Sequence, residues 1–193
     1  MVGSVARSTP VTWPKAWIKS HAVRAVIFAF MLWAPCASAQ QDVRAVRSAY
    51  VYNLTKYVSW PHSKRTLLIA VVGDPGTGDA VKAMLDGKTS DGRTIQVVTN
   101  PTDSVLSTCD VVYVASTEAT TPGRILSLIS ERPILTVGED NRFVTRGGMV
   151  GLIRSADRIE VAVNLQTVRA AGLKMSSRLL NLATVVSNKE ALR

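Results

Sequence analysis

TLLIAVVGDPGTGDAVKAML, residues 66–85, holds the fold in miniature. Thr66 to Gly73 is a short apolar run between chain breakers, the length and pattern of a strand buried on both faces. Asp79 to Leu85 has the spacing of a short helix, ended by Gly87. Between them, Gly73-Asp74-Pro75-Gly76-Thr77-Gly78 stands where a phosphate-binding loop would stand. That loop needs a lysine to reach the phosphates and a hydroxyl to hold magnesium. Here those places are taken by Asp79 and Ala80, and a carboxylate would repel a phosphate. The segment therefore reads as a strand-to-helix turn, with Asp79 set against the positive end of the helix dipole.

The same alternation continues outward. Thr94 to Val98 and Asp110 to Ala115 read as strands, Pro122 to Ser130 as a helix capped by Thr121 with proline in its first turn, and PILTVG (Pro133 to Gly138) as another strand. Arg142 to Arg146 makes a helical turn. Met149 to Ile153 and Ile159 to Val163 form a hairpin through Ser155-Ala156-Asp157-Arg158. The tail, Leu165 to Thr184, gives two helical segments broken at Gly172. They pack Val168, Leu173, Leu179, Leu180 and Leu182 inward, and Ser176 or Ser177 caps the second. Strands alternating with short helices predict a single α/β domain: a mostly parallel sheet with helices on both faces and one antiparallel hairpin near the C-terminus.

Residues 1–39 differ from this pattern. Arg7, Lys15, Lys19 and Arg24 lead without any acid into the apolar run Ala25–Ala34, closed by Ala37-Ser38-Ala39. This is the layout of a secretory signal peptide cleaved after Ala39. The apolar run falls well short of the roughly 20 residues of a spanning helix. Trp33-Ala34-Pro35 before Cys36 does not suit lipid attachment. The expected organisation is a leader over 1–39 and one exported domain over 40–193. Removing the leader takes four basic residues and lowers the net charge from +9 to +5. The remaining charges are interspersed, without the basic stripe of a nucleic-acid binder. The helix–glycine–helix tail has the spacing of a DNA-reading motif, but an exported protein meets no operator.

Catalytic signals are sparse. Residues 40–193 contain one histidine, His62, one cysteine, Cys109, and no G-x-S-x-G motif. Cys109 opens an apolar run, as a buried thiol acting as a small hydrophobe would. Glu139-Asp140 reads as a turn or helix start, Gly147-Gly148 as backbone with positive φ, and no acids or histidines gather for a metal. No cofactor is expected, and the domain is better equipped to bind than to react.

The aromatic residues concentrate in SAYVYNLTKYVSWP, Ser48 to Pro61. Apolar positions at Val43, Val46, Tyr50, Leu54, Tyr57 and Val58 mark one face of a helix stopped by Pro61. Val46, Tyr50, Leu54 and Val58 suffice to dock it, which leaves Tyr52, Asn53, Tyr57 and Trp60 in surplus. Such residues fit a surface that meets a partner or flat ligand; they fit equally the bottom of the core.

This helix ending in Trp-Pro resembles the start of the YfiR family. Further pieces stand in the family's order: Leu68 to Asp74, Gly87-Lys88 followed by Gly92-Arg93, Cys109 to Val114, Ile134 to Gly138, Arg142-Phe143 leading to Gly147-Gly148-Met149-Val150, Ile159 to Asn164, and Ala171 to Leu180. The resemblance implies a periplasmic repressor without catalysis of its own. It would bind the periplasmic sensory domain of an inner-membrane diguanylate cyclase, lower cyclic di-GMP output, and be sequestered by an outer-membrane lipoprotein. It also implies a homodimer able to accept a small aromatic ligand. The family's disulfides do not carry over, since Cys109 has no partner in 40–193. Two segments are the expected contact surface: Tyr57, Trp60, His62 and Lys64 at the exit of the first helix, and Lys174, Ser177 and Arg178 at the start of the last. They are expected to meet as one aromatic and cationic patch. A periplasmic small-molecule binding module without a cyclase partner is the alternative, and a cleft at the strand carboxyl ends would favour it.

Overall fold

The layering starts from the strand Thr66–Gly73. Leu67, Ile69 and Val71 enter one apolar cluster, while Ala70, flanked by Leu68 and Val72, enters the other. Val111 and Tyr113 likewise oppose Val112 and Val114. This is the period of two that a strand buried on both faces must show.

The computed structural model describes residues 36–62, 64–115, 122–156 and 158–186, and residues 41–193 form one compact unit. Its elements are α1 (Cys36–Tyr57), β1 (Val58–Ser59), β2 (Thr66–Gly73), α2 (Pro75–Leu85), β3 (Thr89–Ser90), β4 (Arg93–Thr99), α3 (Asp103–Leu106), β5 (Val111–Ala115), α4 (Pro122–Leu128), β6 (Leu135–Gly138), α5 (Asn141–Thr145), β7 (Val150–Ser155), β8 (Arg158–Val163), α6 (Leu165–Ala170), β9 (Lys174–Met175), α7 (Ser177–Leu180) and β10 (Thr184–Val185). The expected leader lies outside the described residues up to position 35, as does the expected cap Thr121. Among the described residues no helix is long and apolar enough to cross a membrane.

The main sheet runs β10-β8-β7-β6-β5-β2-β4-β3. Its five central strands, in the order β4-β2-β5-β6-β7, are parallel. That is the doubly wound order 2-1-3-4-5. β7 and β8 form the expected antiparallel hairpin, in register from Val150↔Val163 to Ser155↔Arg158. Val51 and Leu54 of α1, Val81 and Leu85 of α2 and Val168 of α6 cover one face. Leu106 of α3, Ile125 of α4 and Phe143 and Val144 of α5 cover the other. Each such side chain contributes about 1.5–3 kcal/mol by leaving water.

Four expectations need correction. The buried stripe of α1 is Ser48, Val51, Leu54, Thr55 and Val58, whereas Val46 is 40% exposed and Tyr50 only half-buried. Both stripes have helical spacing, but the actual one includes two hydroxyls. Ser48 Oγ donates to the Arg44 carbonyl at 2.8 Å and Thr55 Oγ1 to that of Tyr52 at 2.7 Å, which removes the cost of burying them. Helix α2 starts earlier than expected, because Asp74, not Asp79, meets its amino end: Asp74 Oδ2 accepts from Thr77 N at 2.9 Å, with Pro75 in the first turn. The tail forms α6, β9, α7 and β10 rather than two helices. Gly172 (φ 72°) ends α6, as expected, and Leu173 N donates to the Val168 carbonyl at 3.1 Å in the bond pattern of a helix terminus. Leu182 is 83% exposed rather than packed inward. Finally, of the Gly147-Gly148 pair only Gly147 has positive φ (100°), while Gly148 has no room for a Cβ beside the Phe143 ring.

Candidate partner- and ligand-binding site

Pro61 ends α1's run in sequence, but the helix hands over to a strand three residues earlier. β1 pairs antiparallel with β9, Val58 opposite Met175 and Ser59 opposite Lys174. Ser176 N donates to the Tyr57 carbonyl at 2.9 Å. The exit of the first helix and the start of the last are thus joined by main-chain hydrogen bonds. Ser176 then caps α7 through its Oγ, 3.4 Å from Leu179 N.

The side chains of these joined segments do not form one patch. Tyr57 lines a groove of about 590 Å³ with Tyr50, Asn53, Ile159, Leu179 and Leu182. Trp60, His62 and Lys64 line a separate groove of about 260 Å³ with Cys109, Asp110, Arg132 and Ile134. Lys174, Ser177 and Arg178 are exposed and line neither. The backbone brings the two segments together, while the alternation of side chains along them sends Tyr57 and Trp60 to different grooves.

The smaller groove lies at the amino ends of β5 and β6 and is organised by Asp110. This buried carboxylate accepts from Leu68 N at 2.9 Å and Lys64 Nζ at 3.0 Å. The Asp110 carbonyl accepts from Trp60 Nε1 at 3.0 Å, so one residue fixes both the indole and the ammonium. The Arg93 guanidinium stacks over the Trp60 ring, 4.7 Å from its centroid, a favourable cation–π distance. Lys64 and Arg132 make the rim basic, His62 adds an imidazole beside them, and Trp60 makes the floor aromatic. Behind it Cys109 is free and buried. Burial, assisted by the Asp110 charge and opposed by Lys64, pushes its thiol up to about 11, in keeping with the small-hydrophobe reading. Among the described residues no group of three His, Cys, Asp or Glu could hold a metal ion.

A second polar cluster, unanticipated from the sequence, lies at the opposite ends of the strands. Arg47 Nη1 pairs with Glu139 Oε2 at 3.0 Å, and Glu139 Oε1 accepts from Tyr113 Oη at 2.6 Å. Arg44 pairs with Asp74 at 3.0 Å. Burial raises the Tyr113 phenol, and the Glu139 charge adds to it. Burial alone would raise Asp74 too. Its bonds from Thr77 and the nearby Arg44 charge outweigh that effect and hold it below the usual carboxylate range. The sequence signal was a pair of arginines three apart on a helix and one acid directly after each of two strands. It becomes readable only once the strand order is known. Asp140 beside Glu139 is a helix start, as expected, its Oδ1 accepting from Phe143 N at 2.7 Å.

These features define an α/β domain with a doubly wound sheet, two surface grooves around the first helix and its exit, and a half-buried charge cluster at the strand carboxyl ends. The chain belongs to the YfiR/HmsC-like family, whose model matches residues 44–184. Among solved structures it is similar to a conserved domain protein from Vibrio cholerae O1 biovar El Tor str. N16961. The TM-score is 0.56 at 14% identity, over 72% of this chain and 59% of that one. At that identity the likeness concerns the fold, and this chain spans 59% of the length of that relative.

Proposed function

We propose that this protein is a periplasmic, non-catalytic repressor. It binds the sensory domain of an inner-membrane diguanylate cyclase, lowers cyclic di-GMP output, and is itself sequestered by an outer-membrane lipoprotein. The observation that carries the reading is the family match across residues 44–184, a family of regulators of the diguanylate cyclase pathway. The β1–β9 pairing supports a contact surface there in that it joins the backbone segment carrying Tyr57, Trp60, His62 and Lys64 to the one carrying Lys174, Ser177 and Arg178, with their side chains spread over two grooves and the exposed surface beside them. Repression requires tighter binding to the cyclase's inactive state than to its active one; equal affinity for both shifts nothing. A homodimer would let one repressor unit meet a symmetric cyclase dimer.

A second reading, a periplasmic small-molecule binding module, is favoured by the groove around Trp60. A ring stacked by Arg93 and a rim of His62, Lys64 and Arg132 suit a small aromatic anion. Deleting the gene and measuring cellular cyclic di-GMP separates the two. A rise reversed by an exported copy, and not by an export-deficient one, is the outcome expected of the repressor. An unchanged level in cells that express the protein overturns it in favour of the binding module. Trp60→Ala and Arg178→Glu then test the surface: both are expected to lose the cyclase or lipoprotein in pull-down, and unchanged capture by folded variants removes these residues from it.

A further inference from the structure

The polar cluster sits at a particular place in the topology. The chain leaves β2 through α2, which packs on one face, and leaves β5 through α4, which packs on the other. β2 and β5 are neighbours, so the connections diverge between them. Doubly wound sheets hold their ligands at such a switch point, outside the strand carboxyl ends. Here α1 lays its own arginines across it. Arg44 reaches Asp74 and lies against Gly76, where an added Cβ would be 2.6 Å from its Nη1. Arg47 reaches Glu139, which also holds Tyr113 of β5.

The attachment of this part of α1 differs from the rest of the helix. From Val51 onward the helix is held by the apolar core. In residues 43–47 no side chain is fully buried, Val46 faces outward, and the described attachments to the sheet are the two ion pairs. Both arginines leave a buried Nε without a hydrogen-bond partner. An incompletely satisfied buried pair gives geometric specificity but little net stability.

We propose that residues 43–47 are a charge-held strap over the sheet's switch point. The strap opens as a local unit while the rest of α1 and the sheet stay folded, uncovering Asp74, Glu139 and the Tyr113 hydroxyl. The device is independent of the repressor reading and of the Trp60 groove.

Hydrogen–deuterium exchange of the purified protein tests it. In the wild type, amides of the strap are expected to exchange through an opening almost insensitive to low urea, while β2 and β5 follow global unfolding. The variant Asp74→Asn/Glu139→Gln removes both negative charges. It keeps a capping oxygen for Thr77 N and an acceptor for Tyr113. It is expected to speed strap exchange by about tenfold or more while keeping it almost insensitive to low urea, with β2 and β5 still exchanging only through global unfolding. Unchanged strap exchange in the folded variant overturns the proposal. So does a wild-type strap whose urea dependence equals that of β2, a measurement that needs no variant to fold.

Discussion

The two ends of the central strands solve the same problem in opposite ways. At the carboxyl ends, Arg44, Arg47, Asp74, Glu139 and Tyr113 turn toward one another, and Arg47 and Glu139 are only 15% and 11% exposed. At the amino ends one residue, Asp110, fixes Trp60 through its main-chain carbonyl and Lys64 through its buried carboxylate, and the remaining basic side chains face solvent. α1 spans both: its arginines belong to the first end, its Trp-Pro exit to the second. The difference shows that charge serves attachment at one end and stays exposed to solvent at the other.

The largest effect is expected where charge is buried. Glu139→Ala leaves Tyr113 without its acceptor and frees Arg47 to swing into solvent with the strap, and is expected to cost about 2–3 kcal/mol in urea denaturation. A loss below about 1 kcal/mol would place the carboxyl-end cluster among ordinary surface pairs and erase the contrast. Next is Trp60→Ala. Loss of a half-buried indole, its bond to Asp110 and the Arg93 stack is expected to cost about 2 kcal/mol. Trp60→Phe should cost only about 1 kcal/mol by the same assay, which separates packing from the hydrogen bond.

Alkaline titration probes the wall behind the groove. The Cys109 thiol is raised from 9.0 to about 11 in the folded protein, so folding favours its neutral form. Its contribution is complete below pH 9 and is lost as pH rises through about 11. A Cys109→Ala variant is therefore expected to lose less stability than wild type across that window, measured by thermal melts. The smallest effect is expected at exposed positions on either side of the β1–β9 junction: His62→Ala and Lys174→Glu should change stability by less than about 0.5 kcal/mol. A larger loss would show that these exposed groups hold the fold rather than await a partner.

The parallel core was readable because its strands are apolar on both faces: TLLIAVVG and VVYVA admit few other structures. The hairpin was readable from two strand-like runs, Met149–Ile153 and Ile159–Val163, joined by a short polar connection. The core stripe of α1 was not, because hydrophobicity alone cannot rank Ser48 and Thr55 as interior when their hydroxyls bond to the helix's own carbonyls. The tail also misled: helical spacing in Leu173 to Thr184 could not show that Lys174–Met175 would be claimed by β1, a pairing set by residues more than a hundred positions away. The meeting of the two segments was legible, since β1 pairs with β9, but the expected single patch was not formed: Tyr57 and Trp60 enter different grooves, a separation set by the tertiary packing around them. Arg47 and Glu139 were invisible as a pair because only the strand order makes them neighbours.

The β1–β9 junction also orders events in time. A chain delivered amino end first presents α1 early, yet Tyr57's carbonyl waits for Ser176 and Tyr50's hydroxyl for the Ile159 carbonyl, 109 residues later. Closing so long a loop costs entropy before any contact repays it. The strand pairing at the exit of the first helix is consequently expected to close late, and until the tail arrives Val58 and Ser59 lack the partner strand they pair with in the folded chain.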